Sequence, residues 1–170
     1  MKSISTALGD GGETDLLSGE RIAKDHPRIE ALGDLDELTS FLGDAKCAAT
    51  KSRTREILEA LQTDLMGLMG GIALSSEAAA KENFTVKAEP AENRIRDWVH
   101  EFEAAHPRTG FVLPGQTPAA AKIDIARAAA RRAERRVIAL NRLEPVSPAV
   151  RSYLNRISDL LYVLARHEED

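Results

Sequence analysis

Five arginines lie within the ten-residue segment RAAARRAERR at positions 127–136, although the chain carries a formal net charge of -4. At about 100° per residue in a helix, Arg127, Arg131, Glu134 and Arg135 fall on one side, which we call the arginine stripe. Like charges four residues apart destabilise a helix by a few tenths of a kcal/mol, and Glu134 can offset only part of that repulsion. The stripe therefore points to an anion or an acidic partner, with a solvated basic face as an equal alternative.

Other polar side chains near the stripe are weaker candidates. Arg132 and Arg136 lie off the stripe, and we expect them to be solvated. On the last helical segment Asn155 and Asp159 are one turn apart and would present an amide and a carboxylate to the same space, with Arg166 on their face. A single Asn or Asp on a helix surface is usually only solvated, so these residues alone assign no function.

The N-terminal segment GDGGET, residues 9–14, contains closely spaced glycines. Glycine adopts positive φ and lets backbone N–H groups converge on an anion, so a phosphate cradle is one interpretation and an ordinary turn is the other. The P-loop signature is absent, and so is a dinucleotide fingerprint preceded by a strand. The spacing of the potential metal ligands also predicts no metal site, because they lie far apart in the sequence: His26, His100, His106, His167 and the single cysteine Cys47.

The elements that must position these residues are predicted to be helices. Alanine, leucine, glutamate and arginine are plentiful, and the apolar residues recur at helical spacing. Asp34 with Glu37 resembles a capping box, and Thr117 followed by Pro118 is typical of a helix start. We therefore predict an all-α five-helix bundle in one domain, residues 1–170, with residues 1–33 as a loop and with helices at about 34–49, 53–79, 90–105, 118–141 and 148–167.

Composition excludes several classes of function. The longest apolar run, residues 65–74, has about half the length that a membrane helix needs, so we expect no membrane association. The mild acidity argues against binding nucleic acid over a broad surface. A single cysteine and the absence of a secretory pattern favour the cytoplasm.

Three separated segments together resemble one family. TALGDGGETDLLSGERIAKDHPRIEALGDLDEL, FVLPGQTPAAAKIDIARAAARRAERRV and YLNRISDLLYVLAR are similar to the PduO-type ATP:cob(I)alamin adenosyltransferases, over most of the chain except about residues 50–105. The resemblance implies a homotrimer of helical bundles with active sites between subunits. It also implies transfer of the 5′-deoxyadenosyl group of ATP to cob(I)alamin, which gives adenosylcobalamin and triphosphate.

The same resemblance implies that residues 1–33 are a nucleotide-binding loop, and it implies roles for individual residues. Arg131 would be catalytic, together with an Arg127–Asp36 pair across the subunit interface. Phe111 and Asp159 would contact the corrinoid (cobalamin), and a reductase is a further expected partner. The residues implied to bind ATP with Mg²⁺ are Thr6, Gly9, Asp10, Gly12, Thr14, Lys24, Arg131, Glu134 and Asn155.

This chain departs from the family pattern at a few positions. Ala7 and Leu8 stand where the family usually has a basic and then a small polar residue, Gln116 replaces a glycine, and Asp124 stands where histidine is common. Loss of one charge-assisted hydrogen bond can weaken ATP binding by roughly one or two powers of ten. Two alternatives therefore stay open: a non-catalytic ATP- or corrinoid-binding paralogue for delivery or sensing, and a helical scaffold whose arginines serve only subunit assembly.

Overall fold

The computed structural model describes residues 9–74, 84–105 and 112–170. Within these ranges the chain is mostly helical, with one small antiparallel hairpin in which Thr14 pairs with Ile22. The helical bundle is confirmed, whereas the hairpin lies in a segment that the sequence predicted to be loop. The elements are β1 Glu13–Asp15, β2 Arg21–Ala23, α1 Pro27–Ala48, α2 Ser52–Ile72, α3 Phe84–Ala105, α4 Pro118–Asn141 and α5 Pro148–His167.

Helices α1 and α4 run antiparallel, side by side. Asp44 near the end of α1 contacts Lys122 near the start of α4, whereas Asp34 contacts Arg132 further along. Helix α4 is also antiparallel to α5, since Thr117 before α4 donates a hydrogen bond to the carbonyl oxygen of Glu168 after α5. Helix α4, which carries the arginine stripe, therefore packs between α1 and α5.

The core side of α4 is built largely from alanine. Small side chains let the α4 backbone approach its neighbours closely, while the leucines and isoleucines of α1 and α5 fill the remaining space. The apolar faces predicted for α4 and α5 are confirmed as buried: Ala126, Ala129, Ala130, Ala133, Val137 and Leu140 on α4, and Leu154, Ile157, Leu160, Leu161 and Leu164 on α5. Burial of this side leaves the arginine stripe facing outward.

Helix α4 starts where the sequence predicted. The hydroxyl oxygen of Thr117 accepts a hydrogen bond from the N–H of Ala120 at 3.1 Å, and Pro118 occupies the first turn. The predicted start of α1 at Asp34 is wrong. That helix begins at Pro27, because the Nδ1 atom of His26 accepts a hydrogen bond from the N–H of Arg28 at 3.1 Å and so caps an earlier turn.

Two other predicted boundaries are also wrong. Helix α2 ends at Ile72 rather than near residue 79, and the Arg28 guanidinium donates hydrogen bonds to the carbonyl oxygens of Ile72 at 2.5 Å and Leu74 at 2.6 Å. Those oxygens are thereby satisfied outside a continuing helix. Helix α3 begins at Phe84 rather than near residue 90, and Pro90 lies inside it.

None of the helices in the described ranges combines the length and the apolar character that crossing a membrane would require.

Candidate functional site

The centre of the arginine stripe carries a cation that has no partner among the described residues. The side chain of Arg131 is exposed, and its guanidinium makes no hydrogen bond or ion pair with any described residue. The neighbouring Arg135 donates to the backbone oxygen of Arg131 at 2.9 Å. Glu134 likewise has no partner in the described ranges. The Arg131 guanidinium and the Glu134 carboxylate are therefore charged groups of the stripe that form no hydrogen bond or ion pair with a described residue of the single chain.

Arg127 at the start of the stripe is held by its own helix. Its Nε atom donates to Oδ1 of Asp124 at 2.9 Å, and the Arg127 side chain is 29% exposed. Asp36, the partner expected from another subunit, lies exposed on α1, and its carboxylate has no partner among the residues described. A single chain thus leaves Asp36 available and Arg127 partly so.

The two arginines expected to be solvated are ion-paired instead. Arg132 donates to Asp34 Oδ1 at 2.9 Å and also pairs with Glu37, while Arg136 contacts Asp34 Oδ2 at 3.2 Å and Glu30 Oε2 at 3.3 Å. We call this set the α1–α4 ion-pair row. The expectation of simple solvation is wrong for both, because α1 places three carboxylates beside this side of α4.

The N-terminal glycines form a turn closed by a lysine. The N–H of Gly12 donates to the Gly9 oxygen at 3.2 Å, and the N–H of Lys24 donates to the Gly12 oxygen at 2.8 Å. Gly12 has φ of 83°, a conformation that favours glycine. A Cβ on Gly9 would lie 2.9 Å from the Lys24 Nζ atom, so glycine leaves room there for the ammonium group. Asp10 is exposed in the same turn.

The hairpin is anchored to the end of α2. The N–H of Leu17 donates to the oxygen of Ala73 at 3.0 Å, and the side chain of Leu16 is buried. Leu16, His26, Arg28 and Glu144 are among the residues that line a cavity of about 220 Å³ beside the hairpin. No hydrogen bond or ion pair joins the arginine stripe to described residues 9–26 of the same chain. The two predicted halves of an ATP site are thus not joined by a polar contact within the described residues of one chain.

Helix α5 brings two further candidates near the level of Arg131. Asn155 and Asp159 are exposed, and Asp159 accepts a hydrogen bond from Arg156 at 3.5 Å. Counted at 1.5 Å per residue from the α4–α5 loop, Arg131, Asn155 and Asp159 lie about 15, 10 and 16 Å along the bundle. Thr6 and Phe111 fall outside the described residues.

The sequence comparisons identify the family. A model of the cobalamin adenosyltransferase family matches residues 4–168. The chain belongs to this family. It is 38% identical over 167 residues to the corrinoid adenosyltransferase PduO of Citrobacter freundii, covering 98% of this chain and 50% of that protein. It is also 38% identical to a cobalamin adenosyltransferase of Cupriavidus metallidurans, covering 98% of this chain and 88% of the relative. This chain spans about half the length of the PduO proteins that it matches.

Solved structures of the cobalamin adenosyltransferase type share the fold. A variant PduO-type ATP:corrinoid adenosyltransferase from Lactobacillus reuteri, complexed with cobalamin and ATP, superposes with a TM-score of 0.90 at 29% sequence identity, covering 98% of this chain and 93% of that one. Another variant, complexed with ATP, gives a TM-score of 0.88 at 30% identity, covering 98% and 94%. The resemblance stated from the sequence segments is thereby confirmed.

Sequence reasoning missed one pair in this adenosyltransferase-family chain. Arg166, expected to lie on the exposed face of α5, is 2% exposed and donates through Nη2 to Asp124 Oδ2 at 2.5 Å. The partners are 42 positions apart, so no local spacing marks them. The only available signal was an aspartate among the alanines and isoleucine that form the apolar side of α4.

The described residues of the cobalamin adenosyltransferase-family chain contain no group of three or more His, Cys, Asp or Glu side chains placed to hold a metal ion.

Proposed function

We propose that this protein transfers the 5′-deoxyadenosyl group of ATP to cob(I)alamin and releases triphosphate. The observation that carries the proposal is Arg131, whose exposed guanidinium at the centre of a cationic stripe has no partner in the described ranges. Membership of the cobalamin adenosyltransferase family and likeness to structures complexed with cobalamin and ATP support the same reaction. The stripe supplies a fixed site for a polyanion, as this reaction requires.

ATP would bind between two subunits of a homotrimer. The glycine turn with Lys24 and the arginine stripe are both suited to phosphate oxygens, yet no hydrogen bond or ion pair joins them within the described residues of one chain. A neighbouring subunit would bring the second half, and its Asp36 would pair with Arg127. Along with Lys24 and Arg131, we assign the following residues to ATP: Thr6, Gly9, Asp10, Gly12, Thr14, Glu134 and Asn155.

The chemistry needs electrostatic stabilisation rather than a general base. The electron pair of Co(I) attacks the 5′ carbon of ATP, the carbon–oxygen bond to triphosphate breaks, and its electrons leave on the triphosphate. Negative charge therefore develops on the leaving oxygen, where Arg131, Lys24 and backbone N–H groups can stabilise it. Mg²⁺ would enter with the nucleotide as MgATP, since this ion is commonly bound through substrate phosphates and water with few protein ligands.

The corrinoid would bind beside the nucleotide, with Phe111 at cobalt and Asp159 nearby. An apolar side chain at cobalt would exclude water and an axial ligand, and four-coordinate Co(II) is easier to reduce to Co(I). A separate reductase would supply that electron. We place the reaction in the cytoplasm, because the sequence has only one cysteine and therefore no internal disulfide that would suit an oxidising compartment.

Anaerobic turnover tests the proposed reaction. Purified protein with MgATP and chemically reduced cobalamin should yield adenosylcobalamin, followed by its visible absorbance, together with one triphosphate per turnover. Absence of product under strongly reducing, oxygen-free conditions would overturn the proposal. Tight corrinoid binding without turnover, converted to turnover by Ala7→Lys, would instead support the non-catalytic paralogue, because that variant restores a cation in the phosphate loop.

A further inference from the structure

The strongest feature outside the proposed substrate contacts is a buried carboxylate between two arginines. Asp124 is 4% exposed and Arg166 is 2% exposed. One oxygen of Asp124 accepts from Arg166 Nη2 at 2.5 Å, and the other accepts from Arg127 Nε at 2.9 Å. We propose that Asp124, supported by Arg166, is a positioning residue that orients Arg127 for its contact with the neighbouring subunit.

The geometry divides the two arginines into different roles. Arg166 is enclosed, with its guanidinium over the Tyr162 ring at 5.3 Å from the centroid and its Nη2 atom 2.9 Å from Glu169 Oε1. It compensates the buried charge of Asp124 whether or not Arg127 is engaged. Arg127 is 29% exposed and bonds to Asp124 through Nε. The outer nitrogens of Arg127 form no hydrogen bond or ion pair with a described residue, so they can bind an acidic group on another chain.

The last turn of the chain keeps Arg166 in place. The Glu168 carboxylate accepts hydrogen bonds from the N–H groups of Thr50 at 2.9 Å and Lys51 at 3.2 Å, at the start of α2. Its backbone oxygen accepts from Thr117 at 3.1 Å, immediately before α4. These contacts tie the end of α5 to the starts of α2 and α4. The Arg166–Asp124 pair is therefore part of a fixed framework beneath the stripe.

Orientation matters because a free arginine side chain has many rotamers. Ordering it on contact costs roughly 0.5–1.5 kcal/mol, and the Asp124 carboxylate lowers that cost by holding Nε in advance. A merely structural Asp124 would stabilise the fold without depending on Arg127. A positioning Asp124 would instead lose its effect on the interface once Arg127 is removed. This difference gives the inference a direct test.

A double-mutant cycle tests the coupling. Asp124→Asn and Arg127→Ala are measured singly and together, with kcat and KM for ATP, sedimentation of the subunits and thermal unfolding as readouts. We expect Asp124→Asn to weaken subunit association and kcat/KM by about tenfold when Arg127 is present and by less than about twofold in the Arg127→Ala background. Equal effects in both backgrounds would overturn the inference.

A second variant keeps the inference testable if Asp124→Asn fails to fold, since that change leaves Arg166 buried without the Asp124 carboxylate. Asp124→Asn combined with Arg166→Met and Glu169→Gln removes Asp124, Arg166 and the second carboxylate that pairs with Arg166, so it should fold. In this background Arg127→Ala should still weaken subunit association less than it does in the wild type. Coupling retained in that variant would also overturn the inference.

The inference rests on the proposed function, and the readouts separate their failures. A wild-type protein that associates but forms no adenosylcobalamin overturns the proposed activity alone. In that case the association cycle still decides the role of Asp124. An active wild type with uncoupled effects overturns the positioning role alone, and a wild type that stays monomeric overturns both.

Discussion

Two sides of helix α4 carry arginines, and the two sets differ in the acidic groups that surround them. In the α1–α4 ion-pair row, Arg132 and Arg136 meet carboxylates of α1 within the same chain. On the arginine stripe, Arg131 has no partner in the described part of the chain, and Arg127 meets only Asp124 of its own helix and leaves nitrogens available. Of the adjacent residues Arg131 and Arg132, therefore, only Arg132 has an acidic partner among the described residues.

This difference shows that charge density alone does not mark a binding site. The row is an internal contact whose arginine side chains are 41% and 51% exposed, so solvent screens it and its contribution to stability is small. The stripe leaves part of its cationic charge uncompensated, and an incoming anion can use that charge. The predictions below separate the two sides, beginning with the largest expected effect.

Replacement of Arg131, which has no partner in the described part of the chain, should lower activity most. We expect Arg131→Ala to lower kcat about 100-fold or more, because the loss of one donor that stabilises developing charge typically costs that much. Anaerobic turnover measures the rate, and thermal unfolding should show little change in stability. Arg132→Ala on the adjacent position is the matched control. Similar losses of activity in both variants would erase the distinction between the two sides.

Loss of the Arg127–Asp36 pair across the proposed interface should have the second-largest effect. We expect Arg127→Ala and Asp36→Ala each to weaken subunit association about tenfold, because either change leaves a charge without its partner. Sedimentation over a range of protein concentrations measures this effect. Asp44→Ala serves as the control on the same helix, because Asp44 contacts Lys122 within the chain. If Asp44→Ala weakened association as much as Asp36→Ala, the assignment of Asp36 to the interface would fail.

The framework beneath the stripe should be acid-sensitive. Burial by itself raises the pKa of Glu168, but hydrogen bonds from Thr50 and the Lys51 amide outweigh it and lower that pKa below its usual 4.5. A carboxyl with a lowered folded-state pKa stabilises the protein above pH 4.5, and that stability is lost as the pH falls through the folded value. We expect Glu168→Gln to cost about 1 kcal/mol near pH 7 and to flatten this acid dependence in thermal unfolding.

An exposed glutamate provides the comparison for that measurement. Glu59 lies exposed on α2 and its carboxylate has no partner among the described residues, so Glu59→Gln should leave both stability and its acid dependence unchanged. An acid profile of Glu168→Gln identical to wild type would contradict the role given to Glu168.

The ion-pair row should give the smallest effect. Arg132 is 41% exposed, so solvent screening limits its contribution, and we expect Arg132→Ala to cost about half a kcal/mol of unfolding free energy. The cost should shrink further when salt is raised, as chemical denaturation with and without added salt would show. A loss of several kcal/mol would mean that the row is as essential to the fold as the core.

Local pattern was sufficient for much of the fold. The apolar spacing on α4 and α5 predicted their buried faces, and Thr117 with Pro118 predicted where α4 begins, because both signals act within one or two turns of helix. Of the wrong boundaries, one had a local cause that the capping-box pattern did not reveal, and one depended on a distant group. Helix α1 begins at Pro27 because His26 caps it, and Arg28 takes the carbonyls at the end of α2 from 44 and 46 positions away.

For the site, residue types and segment resemblance were enough to select the stripe, the glycine turn and the family. They could not say which arginines would be paired, since Arg132 and Arg136 owe their partners to the packing of α1 against α4. Nor could they place Arg166 beneath Arg127, because a buried ion pair is formed by helices that meet only after folding. The order of amino acids determined which faces are apolar and which are cationic, through helical periodicity. The tertiary structure decided which cations stay available, because it alone sets the distances between charges far apart in sequence.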